Sequence, residues 1–318
     1  MSALHADARV QLEAALGGDL AEEVPLRDHT SFRIGGPAAF FARPKSADEI
    51  ARALATAHRL SLPTLVVGGG TNLLVSDVGF DGLAVRVELG GISIDAARRR
   101  VTAGAGVPVA TLVDALIEGG FAGLEFAAGL PGTLGGAISG NAGCFGGAIG
   151  DAIVGATLVL RDGTMIQVED PAWFAFDYRA SRVAAMGAVV AEATIAVAPG
   201  DRARLEDVAR GHLEVRRDKH PARGARTAGS YFKNLPPERP GGLRRAAGAL
   251  LDQVGAKAMR VGDAAVFERH ANIIVNAGAA TARDVLALAE MMRHAVSERF
   301  GIALEPEVRF VGERPSPA

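Results

Sequence analysis

The spacing of hydrophobic and polar residues predicts several helices. Residues 46–60 carry apolar side chains at helical intervals, and Ser46 with Glu49 three residues later is typical of a helix N-terminus. Residues 1–20 mix charged and apolar positions in the same amphipathic way. The same spacing predicts further helices over residues 109–119, 204–217, 244–254 and 281–299.

Short apolar or alternating runs between these helices predict strands. Asp162-Gly163 separates two such runs and is typical of a hairpin turn, whereas residues 121–150 are rich in glycine and small residues and predict a loop. Because helices alternate with strands and hairpins also occur, we expect an α+β (mixed α/β) fold. The predicted strands cover residues 63–67, 73–75, 83–87, 101–103, 154–160, 165–168, 189–197, 272–276 and 307–311.

Length and charge narrow the class of protein. The 318 residues suggest about two domains, and Pro199-Gly-Asp201 is the candidate boundary. The formal net charge of −2 argues against a nucleic-acid partner. The single cysteine excludes an internal disulfide framework, and the seven histidines are scattered, so we expect no metal site. The absence of a long apolar run predicts no membrane insertion and a cytoplasmic location.

The first candidate binding segment is Gly68-Gly-Gly-Thr-Asn-Leu73, directly after a predicted strand. Successive glycine N–H groups can surround phosphate oxygens, and Thr71 and Asn72 add side-chain donors. The segment lacks the lysine of a P-loop and the third glycine of the dinucleotide fingerprint. A glycine turn between two buried strands explains it equally well at this point.

A second glycine-rich segment spans Gly129-Leu-Pro-Gly-Thr-Leu-Gly-Gly136, followed by Gly140-Asn-Ala-Gly143. Two such segments could hold a diphosphate from two sides. The alternative is a tight packing junction, which we favour less because so much glycine loses entropy on folding and buries little surface. The candidate contacts here are Gly129, Pro131, Gly132, Thr133, Gly135, Gly136, Asn141 and Gly143.

The other candidate residues carry weak signals individually. Arg179 beside Tyr178 could bind an anion, although most such arginines are ordinary surface residues. The basic cluster between Arg216 and Arg226 is either a solvated face or a site for an acidic ligand. Ser230 lies outside any nucleophile-elbow motif, and Cys144 is interpreted as a small packing residue.

Seven motifs taken together resemble the UDP-N-acetylenolpyruvoylglucosamine reductase family of bacterial peptidoglycan synthesis. The resemblance covers about residues 24–312, nearly the whole chain, and it depends on the order of the motifs more than on any one of them. The motifs are 30–36 (TSFRIGG), 68–75 (GGGTNLLV), 129–136 (GLPGTLGG), 178–181 (YRAS), 228–234 (AGSYFKN), 270–272 (HAN) and 304–308 (LEPEV).

The resemblance implies an FAD-binding fold of the vanillyl-alcohol oxidase and p-cresol methylhydroxylase type, made of two subdomains. We expect this region to cover residues 1–200, with subdomains of about 1–80 and 81–200. A substrate-binding domain would follow over residues 201–318. The two glycine-rich segments would hold the diphosphate of non-covalently bound FAD.

The resemblance also implies a reaction and its residues. NADPH would reduce FAD, and flavin N5 would then deliver hydride to the vinyl carbon of UDP-N-acetylglucosamine enolpyruvate, giving UDP-N-acetylmuramate. Ser230 would donate the proton, while Arg179 and Glu307 would stabilise the negatively charged intermediate. The remaining substrate contacts would come from Tyr178, Lys219, Lys233 and Asn234. We also expect a monomer.

The chain departs from the family pattern at three places. Thr71 stands where many relatives have Ser, which keeps the hydroxyl donor. Leu235 precedes Pro236 where relatives often have Asn, and the segment between Ser181 and Asp201 is too short for the tyrosine-bearing lid of one branch. Tyr178 is therefore not assigned the lid role. Two alternatives stay open here: another flavin oxidase or dehydrogenase of the same fold, and a non-catalytic nucleotide-binding module.

Overall fold

The computed structural model describes residues 3–239 and 241–314, which form two compact units. The first unit contains the segments up to Val24, Ala38–Gly69 and Asp81–Arg216. The second contains Pro25–Pro37, Gly70–Phe80 and the segment from Arg217 onward. Two stretches of the N-terminal part thus belong with the C-terminal part, and the later division falls at Arg216, beyond the predicted boundary at residue 200.

The longer helices follow the predicted pattern closely, whereas the short helices Leu134–Ser139 and Arg182–Met186 were not predicted. Ser46 Oγ accepts a hydrogen bond from Glu49 N at 3.2 Å and so caps the helix that begins at Ala47. Ala8, Leu12 and Leu16 are buried on one face of the N-terminal helix, as its amphipathic pattern requires; residues 1 and 2 of that prediction lie outside the described residues. The helices are Ala3–Leu16, Ala47–Arg59, Val109–Glu118, Leu134–Ser139, Arg182–Met186, Arg202–Lys219, Ala247–Gln253 and Ala282–Phe300.

Two sheets organise the first unit. The strands Leu20–Pro25, Pro37–Ala42, Phe80–Arg86 and Thr64–Val67 form one sheet in that spatial order. A five-stranded antiparallel sheet has the spatial order Met165–Val168, Ile153–Val159, Val189–Ala196, Arg100–Gly104 and Ile92–Asp95. Side chains from both sheets and from the helices Ala47–Arg59 and Val109–Glu118 share one hydrophobic core. The Asp162-Gly163 hairpin is confirmed, with Val159 opposite Met165.

The second unit has its own hydrophobic core. A three-stranded antiparallel sheet of Arg260–Val261, Ala264–Val266 and Ile274–Asn276 lies beside the helix Ala282–Phe300. That helix begins with a capping box in which Thr281 Oγ1 accepts from Asp284 N. The strand Leu73–Val75 pairs in parallel with Arg309–Val311, so a segment just after the first glycines is joined to the end of the chain.

The structure corrects the sequence-based prediction at several elements. The predicted loop of residues 121–150 contains the helix Leu134–Ser139 and the two-stranded ribbon of Gly143–Cys144 and Gly147–Ala148. Its glycine content concealed these elements, because glycine weakens helix and strand propensity. Strands at Leu20–Pro25, Pro37–Ala42 and Ile92–Asp95 were not predicted. In each case the hydrophobic pattern of the strand is weak, and hydrogen bonding to a neighbouring strand stabilises it.

Candidate active site

The two glycine-rich segments touch each other inside the first unit. A Cβ atom added to Gly68 would lie 2.5 Å from Thr133 Oγ1, and one added to Gly69 would lie 2.7 Å from the Cα of Gly132. Both distances are shorter than a Cβ atom normally allows. Because the contact at Gly69 is with backbone, the close approach of the second segment requires a glycine there, whereas the contact at Gly68 is with a side-chain hydroxyl. The packing junction that the sequence offered as one alternative is therefore present at these residues, and binding of FAD there stays a prediction.

Thr133 marks a place where a polar ligand fits this contact. Its Oγ1 is buried and has no hydrogen-bond partner within the part of the chain that the structure describes. A buried hydroxyl without a partner is uncommon, because the lost hydration is not replaced. Gly68, Gly69 and Gly132 carry no side chains and lie beside this unsatisfied hydroxyl. That chemistry fits the diphosphate of FAD, which presents several strong acceptor oxygens.

The C-terminal half of the second segment packs against the protein. Gly135 N donates to Ala105 O at 2.8 Å, and a Cβ at Gly135 would lie 2.8 Å from that of Ala105. Leu134 N likewise donates to Val107 O at 2.9 Å. Gly136 lies in the helix Leu134–Ser139. Packing thus accounts for the glycine at position 135, and a contact of Gly135 or Gly136 with FAD stays a prediction.

Arg179 occupies the tip of a tight turn in the first unit. Asp177 and Ala180 exchange two backbone hydrogen bonds of 3.1 Å, which leaves Tyr178 and Arg179 as the two turn residues. Arg179 has a φ of 54°, a left-handed conformation that is costly for an arginine. Its Nη2 donates to Gly143 O at 3.2 Å, and its Cζ lies 5.2 Å from the centroid of the Tyr178 ring. The turn and these contacts hold the guanidinium in one place.

Two side chains attach this turn to the second glycine-rich region. Asn141 Nδ2 donates to Asp177 O at 2.9 Å, and its Oδ1 accepts from Gly150 N at 3.0 Å. Ser181 Oγ donates to Ser139 O at 2.7 Å. The buried Asn141 amide is thus occupied at both ends by the protein. The structure therefore gives this side chain a role in holding the Arg179 turn, and its predicted contact with FAD stays a prediction.

Cys144 lies beside two arginines. Arg216 Nη2 donates to its Sγ at 2.9 Å, and the thiol donates to Phe126 O at 3.0 Å. Burial raises the pKa of the Cys144 thiol, although the positive charges of Arg216 and Arg179 oppose that shift. A raised pKa keeps the thiol protonated and poorly nucleophilic, in agreement with its interpretation as a packing residue.

Ser230 and Glu307 lie on neighbouring segments of the second unit. Ser230 forms an isolated bridge with Ile273, and the next residue, Tyr231, accepts a hydrogen bond from Glu307 N at 2.7 Å through its carbonyl oxygen. Both Ser230 and Glu307 are half-buried. Burial raises the pKa of Tyr231 to about 12, so this neighbour stays neutral. The structure therefore places Ser230 and Glu307 on segments joined by a backbone hydrogen bond, while Arg179 belongs to the first unit.

Asn72 connects the first glycine-rich segment to Glu307. Its Nδ2 donates to Glu307 O at 3.1 Å, and its own carbonyl accepts from Arg309 N at 3.1 Å. Leu73, which was also a predicted cofactor contact, begins the strand that pairs with Arg309–Val311. Asn72 thus holds the backbone at a predicted catalytic residue, a role that the sequence did not indicate.

The predicted substrate residues of the second unit have protein partners. Lys233 Nζ forms an ion pair with Glu305. Asn234 Oδ1 accepts from Ala247 N at 3.2 Å and so satisfies the first N–H of the helix Ala247–Gln253. Lys219 ends the helix Arg202–Lys219. Binding of a nucleotide by these three residues stays a prediction.

Sequence reasoning assigned no role to two residues of the HAN motif. Asn272 is buried and binds the backbone of Phe232 through both ends of its amide. His270 Nδ1 accepts from Asn272 N at 3.3 Å. Burial lowers the pKa of His270, and the positive charges of Lys219 and Lys257 lower it further. The HAN motif by itself gives no indication of the Asn272 contacts, because Phe232 lies 40 positions earlier in the sequence.

Comparison with known proteins agrees with this geometry. Residues 38–169 match the family model described as FAD binding domain. Residues 220–311 match the model described as UDP-N-acetylenolpyruvoylglucosamine reductase, C-terminal domain. The fold also resembles a Phl p 4 variant described as a glucose oxidase, with a TM-score of 0.50 at 14% identity, over 62% of this chain and 44% of that one. The fold and the site therefore define an FAD-binding oxidoreductase.

Relatives along almost the whole chain identify the family. A UDP-N-acetylenolpyruvoylglucosamine reductase from Geobacter metallireducens is 42% identical over 95% of this chain and 97% of its own. Reductase 2 from Symbiobacterium thermophilum is 42% identical over 94% of each chain. The crystal structure of MurB from Thermus caldophilus has a TM-score of 0.75 at 32% identity, covering 92% of this chain and 98% of that one. The chain belongs to the UDP-N-acetylenolpyruvoylglucosamine reductase family.

These matches confirm the family, the FAD-binding α+β fold and the FAD-dependent reductase class that the motifs predicted. They leave the roles of individual residues as predictions. In residues 3–239 and 241–314, every helix is too short or too polar to span a bilayer. Across the same residues, we find no group of three or more His, Cys, Asp or Glu side chains arranged to hold a metal ion.

Proposed function

We propose that this protein reduces UDP-N-acetylglucosamine enolpyruvate to UDP-N-acetylmuramate in peptidoglycan synthesis, with NADPH as the reductant. Family membership supports the substrate and the reaction class. The observation on which the proposal depends most is the 2.7 Å hydrogen bond between Glu307 N and Tyr231 O, which holds Ser230 and Glu307 on adjacent segments. This bond joins backbone atoms, and a hydroxyl and a carboxylate carried on adjacent segments suit a step that combines proton donation with charge stabilisation.

The first unit supplies most of the residues that would hold FAD. Gly68 and Gly69 meet Gly132 and Thr133, and the unpartnered Thr133 hydroxyl is available to a diphosphate oxygen. When bound, FAD supplies the two-electron chemistry, taking a hydride from NADPH and passing it to the vinyl carbon of the substrate. The protein contributes binding, orientation and charge.

Arg179 is the residue that we propose to stabilise the substrate carboxylate. Addition of a hydride to the vinyl carbon leaves negative charge on the adjacent carbon and its carboxylate, and a cation lowers the energy of that state. A guanidinium suits this role because its planar donors match a carboxylate and it stays charged at any physiological pH. The strained turn holds the Arg179 backbone in place before substrate arrives, which avoids a cost of reorganisation.

Ser230 is the proposed proton donor, and Glu307 is proposed to orient and polarise the intermediate. A serine hydroxyl is a weak acid, so it can protonate only a strongly basic carbon held close to it. The backbone hydrogen bonds of Tyr231 restrain the backbone of the adjacent Ser230, so fewer conformations compete with the one that suits proton donation. Tyr178, Lys219, Lys233 and Asn234 are the proposed contacts to the rest of the UDP-sugar.

An anaerobic absorption experiment tests the proposal. The purified protein should show a flavin spectrum, NADPH should bleach it, and UDP-N-acetylglucosamine enolpyruvate should restore it with formation of UDP-N-acetylmuramate. Bleaching that the sugar nucleotide fails to reverse would leave a flavoprotein with another substrate. A protein that binds no flavin after incubation with FAD would refute the proposal at its first step.

The proposal extends to the oligomeric state and the cellular location of the protein. We propose that the protein is a monomer. We also propose a cytoplasmic location, where NADPH and UDP-sugars are available and where a free thiol such as Cys144 stays reduced. Sedimentation of the holoenzyme and fractionation of cells test these two statements.

A further inference from the structure

We infer that Asn272 is a positioning residue that holds Ser230 in register for proton donation; the inference rests on the function proposed above. Asn272 is only 2% exposed and lies in the second unit, as Ser230 does. A buried amide needs hydrogen-bond partners for its donor and its acceptor, because burial removes their hydrogen bonds to water and that loss is otherwise not compensated. The partners that Asn272 finds are in the segment that carries Ser230.

Asn272 makes three hydrogen bonds to the two residues that follow Ser230. Its Oδ1 accepts from Phe232 N at 2.9 Å, and its Nδ2 donates to Phe232 O at 2.8 Å. Its backbone carbonyl accepts from Tyr231 N at 2.7 Å. Of the side chains short enough for this place, a carboxamide is the one that presents a donor and an acceptor at one planar end.

The opposite edge of the same segment is bound to the region around Glu307. Tyr231 O accepts from Glu307 N at 2.7 Å, and Lys233 N donates to Glu305 O at 2.9 Å. Residues 230–233 therefore lie between Asn272 on one side and residues 305–307 on the other. Asn272 sets the distance and the register between the proposed proton donor and the proposed carboxylate.

Regular sheet pairing gives this segment little additional support. Ser230 with Ile273 and Phe232 with Pro306 are isolated bridges, so no extended ladder continues past them. The side chain of Asn272 thus replaces hydrogen bonds that a longer strand would supply. When it is removed, we expect Ser230 to shift within a unit that still folds around its own core.

Rapid-mixing kinetics on the holoenzyme separate positioning from folding. In Asn272→Ala, flavin reduction by NADPH should proceed at the wild-type rate, because Ser230 takes no part in it. Flavin reoxidation by UDP-N-acetylglucosamine enolpyruvate should slow by about 100-fold, the loss expected for misplacement by about 1 Å. The solvent deuterium effect on reoxidation should rise above the wild-type value, since proton transfer becomes the slow event.

Asn276→Ala is the matched control. Asn276 is also buried, and its amide donates to Phe32 O and accepts from Gly278 N and Ala280 N. Its removal costs the unit a comparable set of buried hydrogen bonds that do not involve residues 230–233. The control should therefore lower thermal stability while the ratio of the two half-reaction rates stays at the wild-type value.

A second variant keeps the inference testable if Asn272→Ala fails to fold. Asn272→Asp has the same shape, and its protonated carboxyl offers one donor and one acceptor as the amide does. Burial favours that protonated form. Reoxidation by the variant, relative to wild type, should therefore recover as the pH is lowered from about 8 to about 5.

Hydrogen–deuterium exchange on the full-length protein gives a readout other than activity. Peptides containing Phe232 should exchange faster in Asn272→Ala than in wild type, and faster than in Asn276→Ala. Wild-type reoxidation rates in Asn272→Ala, equal losses in both half-reactions, or unchanged exchange at Phe232 would each overturn the inference. Failure of the wild-type enzyme to reoxidise with the sugar nucleotide would instead overturn the proposed function.

Discussion

Gly69 offers a direct test of whether the contact between the two glycine-rich segments holds the cofactor. In Gly69→Ala the new Cβ would lie 2.7 Å from the Cα of Gly132, whereas ordinary contact begins at 3.4 Å. The segments would therefore have to separate by about 0.7 Å, the difference between these two distances. Both sides of the contact are backbone, so neither can yield by changing a rotamer.

The expected cost of Gly69→Ala follows from this geometry. Overpacking of this kind destabilises by about 1–3 kcal/mol, and each kcal/mol lowers Tm by about 2–4 °C in a unit of 150–250 residues. If the segments hold a diphosphate, weakening one charged hydrogen bond costs a further 1.5–3 kcal/mol or so, which is about 10- to 100-fold in the Kd for FAD.

Two measurements check this expectation. Thermal unfolding of the flavin-free protein reports the packing cost, and titration of that protein with FAD reports the Kd. Gly211→Ala is the control, because a Cβ there meets nothing within 4 Å and the residue lies in the helix Arg202–Lys219. That change should leave FAD binding unaltered and raise stability slightly. Wild-type Tm and Kd values in Gly69→Ala would refute the reasoning.

Three further predictions concern single side chains. Ser230→Ala should leave flavin reduction by NADPH intact and slow reoxidation by the sugar nucleotide by about 10²- to 10⁴-fold, the range for a lost general acid; equal losses in both half-reactions would remove Ser230 from this role. Cys144 should react with iodoacetamide much more slowly in the folded protein than in urea, since burial raises its pKa; equal rates would contradict that placement. His270 has a pKa lowered by burial, so the unfolded chain binds the extra proton more readily than the folded one does. The contribution of neutral His270 to the free energy of unfolding is present above the unfolded pKa of about 6.5, and it is lost as the pH falls through the lower pKa of the folded state. The acid-induced fall in Tm should therefore be smaller in His270→Gln than in wild type.

Local patterns were sufficient for most helices and strands of this protein. Helix 47–59 has a capping serine and regular apolar spacing within one short window, so its limits can be read directly. Glycine-rich segments are the opposite case. The helix Leu134–Ser139 exists because Leu134 and Gly135 donate to Val107 and Ala105, and no local signal records those partners.

Motif order determined the family, the FAD-binding fold and a short list of candidate residues. Each motif is a local property of the chain, so the sequence contains it in full. The physical role of each residue is different, because it depends on partners that are distant in sequence. The amides of Asn72 and Asn141 hold Glu307 and the Arg179 turn, and their predicted contacts with FAD stay predictions.

Long-range contacts in the folded chain determine which glycines are close-approach positions and which side chains hold the proposed catalytic residues. Gly69 is required by Gly132, 63 positions later, and Asn272 is bound to Phe232, 40 positions earlier. Such contacts arise when the chain closes long loops, and the free energy that supports them comes from the cores of the two units. The order of local motifs thus indicates the family and its candidate residues, whereas the contacts that hold those residues in place form only when the chain folds.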